Sequence, residues 1–388
     1  MVINENVDRK IIPVASGKGG VGKTVLAVNL ALALAGGGKK TVLVDLDLGS
    51  SNLHTCLGIK NVNPGVGNLL SDSELDFKDI LTETPYRGLR FVPGDVLITG
   101  LAGISHSQRK RVARQILKID ADYVIIDLGS GTSTAVLDFF LVSNSGIIMT
   151  TPQPTAVTNA FAFLKNLMFR FLQRALSSSK EVSRYIKSVN KERLPLSTPT
   201  VLQILSKMKE IDPEAAGKAA LYISMMHPKL VVNFARTPND LLAGSKLRDL
   251  TKRNLDVDLE CMGLIYADKA VDSSVLERVP LLRFDPEAVS SIQIKRIAQK
   301  IVEAPNFPLM TKGAGGSSGS GGPVGSKEYA DSFELAHAEA EEDFRVSSDG
   351  PPGVEASDVE NLINVIAEQK RRIDELKGTV RMLTLRDM

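Results

Sequence analysis

From Ile11 to about Val302, apolar runs of strand length alternate with helical patterns. Ile11-Ile12-Pro13-Val14-Ala15 reads as a short buried strand. Val25 to Ala35 reads as a helix, with Leu26, Leu30 and Leu34 at i, i+4 spacing, and Gly36-Gly37-Gly38 ends it. Further strands are expected at Thr41–Asp45, Tyr123–Asp127, Gly146–Thr151, Lys229–Asn233 and Met262–Tyr266. Continuous Val/Ile/Leu runs suit strands buried on both faces. Their alternation with helices predicts an α/β fold, a mostly parallel sheet flanked by helices on both faces. Ligands bind such sheets at the carboxyl ends of the strands. Those ends carry Gly17, Asp45, Asp127, Thr151 and Asn233.

Residues 170–226 break the rhythm. They read as a helical insertion, with Val201–Lys209 as one helix and a loop through Leu194-Pro195-Leu196-Ser197-Thr198-Pro199. An elongated crossover is the alternative reading. Residues 311–352 form an expected linker, Gly/Ser-rich at first and then acidic, with a short helix within Glu328–Arg345. The expected organisation is a main domain over 1–310, this linker, and a terminal helix over 353–388. In that helix Val359, Ile366, Ile373 and Val380 fall seven apart, and Leu362, Gln369, Leu376 and Leu383 follow each by three. Such heptads suit a coiled coil or docking to a protein partner. Arg372 facing Lys377 opposes a parallel homodimer, and membrane contact and packing on the chain's own domain stay open.

Composition narrows the class. The 388 residues carry a formal net charge of +2, so no global field draws the chain to polyanions. The two cysteines, Cys56 and Cys261, are in no paired spacing, which argues against a disulfide framework or a cysteine metal site. No run reaches the ~18 apolar residues of a membrane span. The opening MVINENVDRK lacks a signal-peptide core, so a cytoplasmic location is expected. Trp is absent, which disfavours a base-stacking platform for single strands.

The sharpest chemistry lies after the first strand. Gly17-Lys18-Gly19-Gly20-Val21-Gly22-Lys23-Thr24 has the G-x-x-x-x-G-K-[ST] spacing between a strand and a helix. Glycines let successive backbone N–H groups curl toward phosphate oxygens, and the helix adds its positive end. Lys23 is expected on the β- and γ-phosphates, and the Thr24 hydroxyl on Mg²⁺. Asp45, Asp47 and Asp127, at strand ends, supply the carboxylates that a hard cation and an attacking water need. A turn or helix cap is the alternative role for any one of them.

Lys18-Gly19-Gly20-Val21-Gly22-Lys23-Thr24, with its second lysine, resembles the deviant Walker A motif of MinD/ParA ATPases. Val44-Asp45-Leu46-Asp47 and Ile125-Ile126-Asp127-Leu128-Gly129-Ser130-Gly131 extend the likeness. The resemblance implies a P-loop NTPase that hydrolyses ATP with Mg²⁺ and dimerises around the nucleotide. It implies that Lys18 crosses to the partner's nucleotide, that Asp47 positions water, and that Asp127 holds Mg²⁺ through its shell. Gly131 would give the next loop room to sense the γ-phosphate. It also implies that Gly17 through Val25 contact nucleotide and that Asn233 contacts adenine. Val25 departs from the Thr or Ser common in the family.

Asp45 through His54 and Thr150 through Ala160 are similar to the FlhG/FleN branch, which controls flagellar number and placement with the GTPase FlhF. That similarity implies a spatial regulator with recruitment to a membrane or cell pole. The branch's N-terminal DQAxxLR-like motif is absent, and the insertion is foreign to its compact members. The alternative is a ParA-like DNA segregation ATPase, supported locally by Arg109-Lys110-Arg111 and Arg114. Those four residues also fit a solvated helix face. A lone His54 is read as structural rather than as a metal ligand.

Overall fold

The computed structural model describes residues 9–48, 52–60, 64–94, 104–175, 179–191, 199–304 and 326–346. Eight strands form one sheet: β1 (Lys10–Ser16), β2 (Thr41–Leu46), β3 (Thr82–Glu83), β4 (Leu89–Val92), β5 (Tyr123–Ser130), β6 (Ile147–Thr150), β7 (Lys229–Ala235) and β8 (Glu260–Tyr266). Their order is β3-β4-β2-β5-β1-β6-β7-β8. Every pairing is parallel except β3 with β4. The expected α/β fold is therefore present. Each strand anticipated from the apolar runs is there, while β3 and β4 are additional. β4 carries Arg90 within its four residues, which breaks the apolar run that marks the other strands.

Alternate residues of each strand feed two cores. Ile11, Val42, Val44, Val124, Ile126, Leu230 and Val232 join one. Ile12, Val14, Leu43, Ile125, Ile147 and Val231 join the other. A strand that buries both faces this way has no polar side to show, which is why its sequence is a continuous apolar run.

The helices up to the sheet's middle are α1 (Lys23–Gly36), α2 (Leu53–Cys56), α3 (Val66–Ser71), α4 (Phe77–Ile80), α5 (His106–Ile116), α6 (Thr134–Phe140) and α7 (Pro154–Ala175). Then come α8 (Lys180–Lys191), α9 (Val201–Ile211), α10 (Pro213–Ser224), α11 (Leu242–Leu255), α12 (Lys269–Leu276), α13 (Leu281–Phe284), α14 (Val289–Glu303) and α15 (Ser326–Val346). Helices α1 and α14 cover one face through Leu26, Leu30, Leu34, Ile294 and Ile297. Among the described residues, no helix is long and apolar enough to cross a membrane.

The region expected as an insertion is helical, as α8, α9 and α10, but α7 runs unbroken through Arg170 to Ala175. Helix α9 opens with a reciprocal cap: Thr200 Oγ1 accepts from the Gln203 N–H, and Gln203 Oε1 from the Thr200 N–H. Asp212 caps α10 ahead of Pro213. Val182, Ile186, Ile204, Met208, Ala219 and Ile223 join the same core as the sheet. The extra helices thus thicken one layer of the domain.

The short helix expected in the acidic part of the linker is present, but it is longer and packs on the sheet instead of spanning a linker. Residues 326–346 form a 21-residue helix, α15, packed along the edge strand β8. Its Phe333, Ala336 and Ala340 are buried against the sheet. Ser332 Oγ accepts from the backbone N–H of Cys261 (3.0 Å), and the Tyr266 hydroxyl donates to the Ala340 carbonyl (2.8 Å). Arg296 grips Asp343 at 2.8 and 2.9 Å, and Lys300 meets Glu339 at 2.6 Å. The helix covers an edge that would otherwise offer unpaired backbone groups. The Gly/Ser-rich stretch over 311–325 and the heptad segment over 353–388 lie outside the described residues.

Candidate nucleotide site

β1 lies between β5 and β6, and the phosphate motif leaves its carboxyl end. Gly20 and Gly22 have φ of +75° and +91°, which only glycine takes without strain. Gly17 and Gly22 are also required by space. A Cβ on Gly17 would fall 2.0 Å from the Asn159 carbonyl oxygen, and one on Gly22 2.4 Å from Asn233 Nδ2. The turn therefore presses against α7 and β7. Gly22 caps α1 without a side chain, which leaves that helix's first N–H groups directed at the loop.

Lys23 is buried in the first turn of α1. Thr24 Oγ1 donates to Asp127 Oδ2 at 2.7 Å. Asp45 and Asp127 sit side by side on β2 and β5, both buried. The Asp47 N–H donates to Asp45 Oδ1 at 3.1 Å. Asp127 Oδ1 is buried with no hydrogen-bond partner. Burial, then the neighbouring charge of Asp45, push the Asp127 carboxyl up to about 8, against the Thr24 hydrogen bond and Lys23. Burial also raises Asp47, with Lys23 opposing it. A carboxylate so placed needs a cation, and the donors at hand are all oxygens, the set a hard divalent ion prefers. Among the described residues, no group of three or more His, Cys, Asp and Glu side chains forms a metal cage.

A cleft of about 590 Å³ runs from the loop to the ends of β7 and β8. Gly19, Gly20, Gly22, Lys23, Thr24, Val25, Asp47 and Asn233 line it. Asp127 lies beneath it behind Thr24. Val21 is buried in the turn, and Gly17 is pressed against α7. Lys18 is not among the residues that line the cleft. It is exposed, and its ammonium reaches Gln153 Oε1 at 3.3 Å. Asn233 Nδ2 donates to the Val21 carbonyl at 2.9 Å, tying β7 to the phosphate loop.

The cleft has a far wall that no motif in the sequence marks. Phe234, Tyr266, Asp268, Val271, Val275 and Leu276 also line the cleft. The strand-end rule applied to β8 would have found Asp268, which caps α12 through Ala270 and accepts from Ser290 Oγ at 2.7 Å. No sequence signal marks Phe234.

The cationic cluster on α5 is largely consumed inside the domain. Arg109 pairs with Asp138 at 2.8 Å. Arg111 donates to the carbonyls of Leu69, Asp72, Ser73 and Leu75, at the end of α3 and in the turn after it. Only Lys110 and Arg114 of the four are exposed. His54 is held below its usual range by burial. Burial, with Asp127 and Asp45, lifts the Cys56 thiol to about 11.

A family model described as an AAA domain matches residues 9–179. The chain is 26% identical over 297 residues to the antiactivator FleN of Pseudomonas aeruginosa, spanning 75% of this chain and 86% of that protein. It is 34% identical over 158 residues to the flagellum site-determining protein YlxH of Helicobacter pylori, spanning 40% of this chain and 53%, about half, of that one. The fold is shared with the septum site-determining protein MinD of Pyrococcus horikoshii, solved with Mg-ADP, at a TM-score of 0.51 and 20% identity over 76% of this chain and 96% of that one. A parallel sheet, a strand–loop–helix phosphate motif and acidic strand ends beside it define a P-loop ATPase. The chain is similar to the MinD/ParA family of these ATPases, and the likeness extends to FleN and YlxH.

Proposed function

We propose that the chain is an ATP-driven dimerisation switch that acts as a spatial regulator of the FlhG or MinD kind. The observation that carries this reading is the split between two lysines of one loop. Lys23 is buried against its own phosphate turn, while Lys18 is exposed and, among the described residues, its ammonium bonds a neutral glutamine. An exposed ammonium beside a phosphate loop suits a second subunit's nucleotide, where it would stabilise transition-state charge.

Lys23 then holds the β- and γ-phosphates, and the backbone of Gly17 through Val25 wraps them. Thr24, Asp47 and Asp127 would hold Mg²⁺, directly or through its shell, and the ion when bound neutralises phosphate charge. Asp47 orients the attacking water, and Asn233 reads adenine. Val25 leaves the α-phosphate with a backbone contact where relatives have a hydroxyl.

The name of YlxH, a flagellum site-determining protein, supports flagellar number or placement as the regulated process; division-site placement, as in the septum site-determining protein MinD, is the related reading. A protein partner docks through the heptad segment 353–388, an FlhF-like GTPase acts alongside, and the dimer is recruited from the cytoplasm to a membrane or cell pole. Nucleic acid is the weaker choice, because Arg109 and Arg111 are engaged within the domain. Co-sedimentation with anionic liposomes and with duplex DNA, each with ATP and with ADP, tests this. ATP-dependent lipid pelleting is expected. Salt-sensitive, ATP-dependent DNA pelleting without lipid binding would favour the DNA segregation alternative.

A further inference from the structure

β7 and β8 lose their pairing register between Val232 and Ala235. The two residues at that irregularity are Asn233 and Phe234. On a regular strand, consecutive side chains point to opposite faces. A bulge lets a strand re-aim them, and bulges collect beside functional sites. Phe234 has φ of +57°, a left-handed conformation that bulky residues rarely adopt and that surrounding structure must hold in place. Asn233 and Phe234 consequently line the same cleft.

The Phe234 ring gains little from the core, since it is 42% exposed. Its position is explained by the cleft instead. The cleft is continuous from the phosphate loop to Phe234 and to Val271, Val275 and Leu276 of α12. Leu276 is 81% exposed, another large apolar group without cover of its own. Phosphates seated on the loop would leave the rest of a nucleotide to extend along this cleft. A purine offers a flat apolar face there, the complement of an aromatic ring and aliphatic side chains.

We propose that Phe234 is the stacking platform for the purine base of the bound nucleotide, with Val271, Val275 and Leu276 completing an apolar base site. This assignment rests on the nucleotide reading of the phosphate loop. The loop alone takes any triphosphate. Phe234 makes the site prefer one that carries a base.

The test uses the full chain and two probes, ATP and inorganic tripolyphosphate. Asparagine tolerates the left-handed backbone, so F234N removes the ring and keeps the turn. ATP affinity is expected to fall about tenfold or more, with tripolyphosphate affinity unchanged. The chain contains no Trp, so F234W introduces a single indole. Its fluorescence is expected to be quenched by ATP and unaffected by tripolyphosphate. Wild-type ATP affinity in F234N, or an unquenched F234W at saturating ATP, overturns the platform. Parallel loss of tripolyphosphate binding in F234N also overturns it, because the residue would then be shaping the loop. If the wild-type chain binds neither probe, the nucleotide reading itself fails and the platform falls with it.

Discussion

Asp127 and Asp138 are buried carboxylates eleven residues apart, one on β5 and one on α6, and they are provided for in opposite ways. Asp138 receives Arg170 through two nitrogens at 2.7 and 2.8 Å, and Arg109 at 2.8 Å. Those partners outweigh its burial and hold its carboxyl below the usual range. Asp127 receives one hydroxyl, leaves an oxygen without a partner and is pushed up to about 8. Two buried carboxylates are thus given two jobs. A carboxylate given full counter-charge by the fold pins α5, α6 and α7 together. A carboxylate left short of charge waits for a ligand to bring it.

Removing one partner shows which carboxylate is structural. Asp138→Ala strands two guanidinium groups that are each about four-fifths buried, and should destabilise the domain by about 3 kcal/mol. Urea unfolding measures this, and an unchanged midpoint would remove Asp138 from the framework. Asp127→Asn should do the reverse without ligand, stabilising the chain by about 2 kcal/mol at pH 8 while weakening Mg-ATP binding.

The pH dependences should run in opposite directions. Asp127 is raised, so its contribution is present below about pH 4 and is lost as pH climbs through about 8. Asp138 is lowered, so its contribution is present above about pH 4 and is lost as pH falls through its depressed value. Subtracting each variant's stability curve from that of wild type isolates the two slopes. A cation that ionises Asp127 should also release up to about one proton on Mg-ATP binding at pH 7. Calorimetry in buffers of different ionisation enthalpy reads this, and Asp127→Asn should abolish it. The smallest effect belongs to the rim of the Asp138 cluster. Arg174 lies 3.7 Å from Asp138 and is 45% exposed, so Arg174→Ala should cost no more than about 0.5 kcal/mol.

The sequence made one member of this pair legible and hid the other. Asp127 ends a Val/Ile run beside a phosphate motif, a local pattern with a known chemical use. Asp138 sits in a short helix, and its arginines arrive from 29 and 32 residues away. Spacing cannot show such a pairing, which is why Arg109 looked like part of a nucleic-acid patch. The same limit hid the cleft's far wall. Phe234 faces the cleft because β7 slips against β8, and register between strands is a property of the assembled sheet. Helix α15 did carry a signal, Phe333, Ala336 and Ala340 at spacings of three and four. The helix itself was legible, but two of those three are alanines, too weakly apolar to show that it packs on the sheet.

The split between the two loop lysines is the most exposed part of the functional reading. Molar mass by light scattering, with Mg-ATP and with Mg-ADP, reads it directly in wild type, Lys23→Ala and Lys18→Ala. Wild type is expected to double in mass with ATP alone, and Lys23→Ala to bind no nucleotide. Lys18→Ala should keep nucleotide binding yet stay at 41.8 kDa and lose turnover. ATP-dependent doubling of the Lys18 variant, with normal hydrolysis, would contradict the shared site.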